Sequence, residues 1–339
     1  MKRVLVTGGA GYIGSVLVGE VLHAGFEVTV VDRMFFGDTL GAVREDARVK
    51  CLRQDIRWLD GAVFDGVDAV IDLAALSNDP SGDLDPEMTL AINHRGRARV
   101  ARLAKEHGVR RYIVASSCSV YGFQEGILNE LSTPNPLTTY AQANIEVEKS
   151  NLPLADDTFC VTVLRFATLY GLSPRMRFDL AINGMTLGIW EKGTIPVLRD
   201  GTQWRPMVHV RDAARAFVMV LQADTAVVNG QTFGAGSDDQ NVQILPLAER
   251  LATALGKEFK YEWYGLPDHR SYRVSFEKIH KALGFEPKFT PEDAAREIAL
   301  ALEEKRVVPD MRTRTVEWYK NLLYWHGVLS EVVLNDVVL

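Results

Sequence analysis

Cysteine is scarce in this chain of 339 residues: Cys51, Cys118 and Cys160 are the only three. They are scattered without the spacing of a metal site or a disulfide framework, so no metal is expected and a reduced compartment fits. A surplus of positive charge is missing as well. The formal net charge is −6, with no basic block to offset it, which argues against a nucleic-acid partner. No apolar run is long enough to span a bilayer, so no membrane partner is expected. Repeats, low-complexity stretches and linkers are also lacking up to the tail. Met1-Lys2-Arg3 leads straight into an apolar strand and does not read as a cleavable signal, which makes a cytoplasmic location the expectation. What remains, 47% hydrophobic and 24% charged residues, suits a globular protein of one large domain or two smaller ones acting on a small molecule.

The chain is organised around its first thirty-odd residues. An apolar run from Val4 to Val6 enters Thr7-Gly8-Gly9-Ala10-Gly11-Tyr12-Ile13-Gly14-Ser15. Gly8 permits a sharp turn after a strand, Gly11 lets backbone approach a pyrophosphate, and Gly14 lets the next helix pack closely on the sheet. The helix N-terminus then presents free N–H groups and a partial positive charge to the diphosphate. Val28 to Val31 reads as the second strand, and it ends in Asp32, placed to bind the adenosine ribose hydroxyls of NAD. A 2′-phosphate would meet a like charge there, although Arg33 could receive it. The pattern favours NAD over NADP.

Further apolar runs at 49–52, 67–75, 111–115 and 158–166 alternate with helical patterns, which predicts an α/β fold: a doubly wound parallel sheet with a smaller, mixed C-terminal substrate lobe. The expected division is 1–170 for the NAD-binding domain with a return at about 205–235, 171–204 and 236–315 for the lobe, and 316–339 for an apolar tail that packs on the body or on another subunit. Candidate site residues collect at the carboxyl ends of the strands. Asp55, before Ile56, either receives the adenine amino group or caps a helix. Leu73-Ala74-Ala75 leaves room for a cofactor. Ser77 and Asp79 follow, either touching substrate or capping a loop. A long helix is expected over 86–108 with Asn93 in its first half, either solvent-facing or functional. Ser116-Ser117-Cys118-Ser119 crowds the mouth of the sheet with hydroxyls. After a Pro134-Asn135-Pro136 break, Tyr140 and Asn144 share one helix face, and Glu146, Glu148 and Lys149 form the solvated side.

Taken together, the glycine loop, Asp32, Asp55-Ile56, Leu73-Ala74-Ala75, Asn93, Ser116 to Gly122, Tyr140 and Arg165 resemble the extended short-chain dehydrogenase/reductase family, specifically its nucleotide-sugar epimerases, dehydratases and ketoreductases. The agreement runs from about residue 1 to about residue 290. The resemblance implies hydride transfer between a sugar carbinol and NAD, with Tyr140 as base and Ser117 hydrogen-bonding the same oxygen. It assigns Ser116 and Asn93 to the cofactor. Ser77, Cys118, Ser119 and Thr168 are assigned to the substrate, with Arg205 and Arg270 as clamps on its diphosphate. It also implies a homodimer through a bundle of the Tyr140 and Asn93 helices. One departure stands out: the family's Tyr-x-x-x-Lys reads Tyr140-Ala-Gln-Ala-Asn144, so the ammonium that lowers the tyrosine pKa is absent and Asn144 keeps at most a ribose hydrogen bond. Cys118 and Ser119 replace the Asp-Glu pair of sugar 4,6-dehydratases, which disfavours that reaction. His209 is expected to pack near the lobe boundary. The expected function is an NAD-dependent epimerase of a nucleoside-diphosphate sugar. A ketoreductase is the near rival, and an NAD-binding protein with impaired catalysis the more distant one.

Overall fold

A computed structural model describes residues 2–333. Seven parallel strands form the central sheet: β1 (Arg3–Thr7), β2 (Glu27–Asp32), β3 (Val49–Arg53), β4 (Ala69–Asp72), β5 (Arg111–Ser117), β6 (Cys160–Phe166) and β7 (Gln231–Ala235). Their order is β7-β6-β5-β4-β1-β2-β3. Side chains alternate between its faces. Val4, Val6, Val28, Val30 and Ile71 pack against helix α1 (Gly14–His23) and the helix Val210–Gln222. Leu5, Val31, Val70, Tyr112 and Val163 pack against α2 (Arg97–Glu106) and α3 (Thr139–Asn151). With both faces covered, the strands are rich in buried apolar residues, and each fully buried valine or leucine contributes about 1.5–3 kcal/mol. The chain reverses between β1 and β4, a switch point that opens a crevice at the strands' carboxyl ends.

Beyond β6 a third apolar cluster gathers Ile182, Met185 and Ile189 with Val197, Met207, Leu247 and Leu251. It includes α4 (Ala181–Lys192), a helix in the stretch that reads as punctuated by Gly193, Pro196 and Gly201. Those residues lie at its end and past it, where Gly193 serves as a left-handed C-cap.

Two local expectations are corrected. The continuous helix over 86–108 is three pieces: Pro86–Leu90, a π-helical turn Ala91–Gly96, and α2. The widened turn aims both Asn93 and Arg97 inward, where they are buried. Glu148 is not on a solvated side of α3. It is buried, accepts the Ser116 hydroxyl and pairs with Arg165 at 2.7 Å. The tail begins as α5 (Thr315–Val332). Its first turns pack on the body through Trp318, whose Nε1 donates to Phe35 O at 2.7 Å, and through buried Tyr319, while Leu323, Tyr324 and Trp325 are exposed. Residues 334–339 of the predicted tail lie outside the described residues.

Candidate active site

A cavity of about 800 Å³ runs along the carboxyl ends of β1, β2, β4 and β5 and continues under the lobe. Its floor is the glycine loop. Gly8 holds φ +67°, its N–H donates to Val31 O at 2.8 Å, and a Cβ there would sit 2.9 Å from Ala74 N. A Cβ at Gly14 would lie 2.3 Å from Gly8 O, so α1 starts against the loop only because residue 14 has no side chain.

The adenosine end fits NAD on its own geometry. Asp32 accepts Ala10 N–H on one oxygen at 3.0 Å and Met34 N–H on the other at 2.7 Å, which fixes the carboxylate at the cavity wall with further acceptor capacity on both oxygens. Burial pushes its carboxyl above the ordinary value, and the two N–H groups oppose that rise. Arg33 lies on the wall but its guanidinium is engaged by Asp55 at 2.6 Å. Of the two roles left open by the sequence, Asp55 takes that of a cap, accepting Arg57 N–H at the head of a 3₁₀ turn, and it also lines the cavity. Burial raises its carboxyl, but Arg57 and Arg33 outweigh burial and hold it at about 2. Gly11, Tyr12, Ile13, Ile56, Leu73, Ala74 and Ala75 also line this end. The Tyr12 hydroxyl donates to Gly171 O at 2.6 Å, tying the loop to the chain beyond β6.

At the reaction end Ser117, Tyr140 and Asn144 share the wall. Thr138 caps α3 by accepting Ala141 N–H, and Gly82 approaches so closely that a Cβ there would lie 2.9 Å from Tyr140 Cβ. Burial pushes the Tyr140 phenol above its usual value and Asp79 adds to this, whereas the Asn144 amide, Arg97 and the Ser117 hydroxyl favour its ionisation. Ser117 caps the following turn, accepting Ser119 N–H at 3.1 Å, and its hydroxyl faces the same cavity as the phenol. Asn144 Nδ2 donates to its own helix at Tyr140 O, 3.0 Å. Ser119 and Thr168 also line the cavity. The Ser119 hydroxyl is buried without a partner among the described residues.

Three assigned side chains are committed to partners within the fold. Cys118 is fully buried and its thiol donates to Arg165 O at 3.4 Å, because the turn after β5 directs it into the core. Asn93 clamps the loop after β4, accepting Leu76 N–H at 2.8 Å and donating to Leu76 O at 3.0 Å, so it shapes the wall from behind. Ser116 reaches the wall, but its hydroxyl is committed to Glu148.

At the lobe end Arg205 and Arg270 come together across the cavity. Both bind Asp268 at 2.7 Å, and Arg270 also meets Asp79. Ser77 accepts from Arg177 at 3.1 Å. His209 is buried at the lobe boundary, 2.8 Å from Glu297. Sequence reasoning missed Asp268, the Arg175-Met-Arg177-Phe-Asp179 run, Arg97 and the roof formed by Arg314, Glu317 and Tyr319, all on the cavity wall. The alternating charges after Gly171 were the one local signal available. Among the described residues, no group of three or more metal-ligating side chains occurs and no helix is long and apolar enough to cross a membrane.

Comparison with known proteins agrees with this geometry. A UDP-glucuronate 4-epimerase of Thermodesulfobacterium geofontis is 28% identical over 319 residues, covering 87% of this chain and 94% of the relative. A dTDP-glucose 4,6-dehydratase of Streptomyces niveus is 28% identical over 350 residues, covering 97% and 96%. The fold matches the crystal structure of UDP-glucuronic acid 4-epimerase from Bacillus cereus in complex with UDP-glucuronic acid and NAD, with a TM-score of 0.80 at 22% identity over 89% of this chain and 99% of that one. The model of the NAD dependent epimerase/dehydratase family matches residues 4–236, and with the glycine loop, Asp32 and Tyr140 set on one cavity the chain belongs to that family.

Proposed function

We propose that this protein is an NAD-dependent epimerase of a nucleoside-diphosphate sugar, working through a transient keto sugar. The observation that carries the reading is one continuous cavity whose wall holds the glycine loop and Asp32 at one end, Tyr140 with Ser117 in the middle, and Arg205 with Arg270 at the other. That order matches a dinucleotide, a sugar and a diphosphate laid end to end.

The chemistry the cofactor supplies when bound is reversible acceptance of a hydride. Tyr140, as phenolate, takes the proton of the sugar hydroxyl as the carbinol C–H bond gives up its hydride, leaving C=O. Ser117 holds the same oxygen and stabilises the charge developing on it. After the keto sugar turns, the phenol returns its proton and hydride is delivered to the opposite face. Arg205 and Arg270 hold the diphosphate through this turn once it displaces Asp268 and Asp79. Asp32 takes the adenosine ribose hydroxyls, with Gly8, Gly11 and Gly14 giving the backbone its approach. Residues 1–170 with 205–235 form the cofactor unit, and 171–204 with 236–315 the substrate lobe. Cys118 is buried and offers no acid where the dehydratases carry one, which supports epimerisation over dehydration. A homodimer through the Tyr140 helix and a cytoplasmic setting complete the reading.

Mass spectrometry of the nucleotide and sugar that copurify tests the substrate, and deuterium exchange at the sugar carbon across UDP- and dTDP-hexoses tests the reaction. Label exchange without net cofactor consumption is expected. Net consumption of reduced cofactor with a keto sugar establishes the ketoreductase instead. Absence of exchange across the panel supports an NAD-binding protein without catalysis, a reading favoured by Asn144.

A further inference from the structure

The family's lysine is missing, yet the cavity beside Tyr140 does hold a cation. Arg97 is 1% exposed and lines the cavity with Ser117, Tyr140 and Asn144. It is delivered there by the π-helical turn that precedes it. Its Nη2 donates to Asp72 O at 2.9 Å and to Ala115 O at 2.6 Å, and its Nε donates to the Asp72 carboxylate at 3.2 Å. No acceptor among the described residues meets Nη1. The guanidinium is thus anchored on two of its three nitrogens beneath the strand end that carries Ser117. Its counterion, Asp72, also accepts the Thr7 and Tyr112 hydroxyls.

We propose that Arg97 replaces the absent lysine as the cation that favours the Tyr140 phenolate, acting as a positioning residue from beneath the strand end that carries Ser117. The inference deepens the epimerase reading and rests on it only for the role of Tyr140. It also accounts for Asn144: an ammonium there would crowd a second buried cation against the guanidinium, whereas a neutral amide does not. The other charged groups on elements packed around Tyr140 are largely engaged. Asp79 is held by Arg270 and Thr138, Asp83 accepts Thr139 N–H, and Glu87 pairs with Arg95. His94 bonds Ser150, Glu146 pairs with Lys149, and Glu148 pairs with Arg165. Arg97 is thus the cation among them whose side chain both reaches the wall and favours ionisation of the phenol.

The test is an NMR titration of tyrosine labelled with carbon-13 at Cζ, with NAD bound, the Tyr140 signal being identified by its loss in Tyr140→Phe. Arg97→Gln is expected to raise the Tyr140 pKa by about one unit or more, the scale of one nearby opposite charge. Arg97→Lys is expected to stay near wild type, and Asn144→Lys added to Arg97→Gln to restore the lower value. An Arg97→Gln titration that overlays wild type overturns the proposal, as does a wild-type Tyr140 that stays protonated until the fold is lost. Should Arg97→Gln not fold, Asn144→Lys alone decides. A lowered melting temperature supports two cations competing for one site, and an unchanged or raised one overturns it. None of these readouts requires a sugar substrate, so a failed epimerase reading and a failed Arg97 reading remain separable.

Discussion

At the glycine-loop end of the cavity, the chemistry comes from a short piece of chain: Gly8, Gly11, Gly14 and Asp32 all lie within the first strand-helix-strand unit, and much of the binding surface is backbone. At the lobe end, Asp79, Arg205, Asp268 and Arg270 meet from three distant stretches, and the surface is a set of ion pairs. The contrast teaches how each end tolerates change. Backbone amides are lost only on substitution by proline and need the right φ and the absence of a Cβ. The paired arginines are partly neutralised until an anion arrives, so their contribution to binding is the difference between a carboxylate and a diphosphate partner. Such differences are easily retuned.

Removing the group that joins the two ends has the largest expected effect. Tyr140→Phe lowers the rate of label exchange by about 10²–10⁴-fold, the usual worth of a positioned acid/base, while NAD affinity measured by calorimetry stays unchanged. A parallel loss of NAD binding would mean that the phenol belongs to the cofactor end only. At the lobe end, Arg270→Ala raises KM for the nucleotide sugar by about 30-fold, roughly 2 kcal/mol, with little change in NAD affinity. An equal loss for both ligands breaks the division between ends.

At the loop end, Asp32→Asn weakens NAD about tenfold, on the scale of a hydrogen bond to a charged group. Because burial holds the Asp32 carboxyl above its ordinary value, protonation on acidification removes the charged acceptor at a higher pH than for a free carboxylate. Wild-type NAD affinity therefore falls as pH is lowered through that titration, and the asparagine variant shows a flat profile there. Smallest is the roof: Tyr319→Ala, which removes the ring packed on Phe35 and Phe36, weakens NAD by about 1 kcal/mol, several-fold. If the variant binds as wild type, α5 covers this end without touching the ligand.

Legibility in the sequence followed the same division. The glycine loop, Asp32, the strand runs and the Tyr140-Asn144 face are visible because local backbone geometry and side-chain period are written into neighbouring residues. Glu148 and Arg97 were illegible. A charged residue at a helical position reads as solvated, and only the partner brought by another strand, Arg165 for one and Asp72 for the other, makes burial tolerable. Asn93 was recognised as out of place on an apolar helix, but the widened turn that aims it at Leu76 has no signature in the residues themselves. Cys118 was misplaced because a hydroxyl-rich run suggests a uniform wall, whereas a 3₁₀ turn sends successive side chains in different directions.

The sequence by itself determined the parallel sheet, the glycine loop and the helix face that carries Tyr140 and Asn144. Each depends on contacts within a few turns or one strand-helix-strand unit, where covalent connection already holds the partners near one another. Only the tertiary structure decided which arginines face which carboxylates, that Arg97 lies beneath the reaction end, and that Tyr319 roofs the far one. Those pairings join residues from 25 to more than 280 positions apart, and their free energy depends on burial and distance that no local pattern encodes.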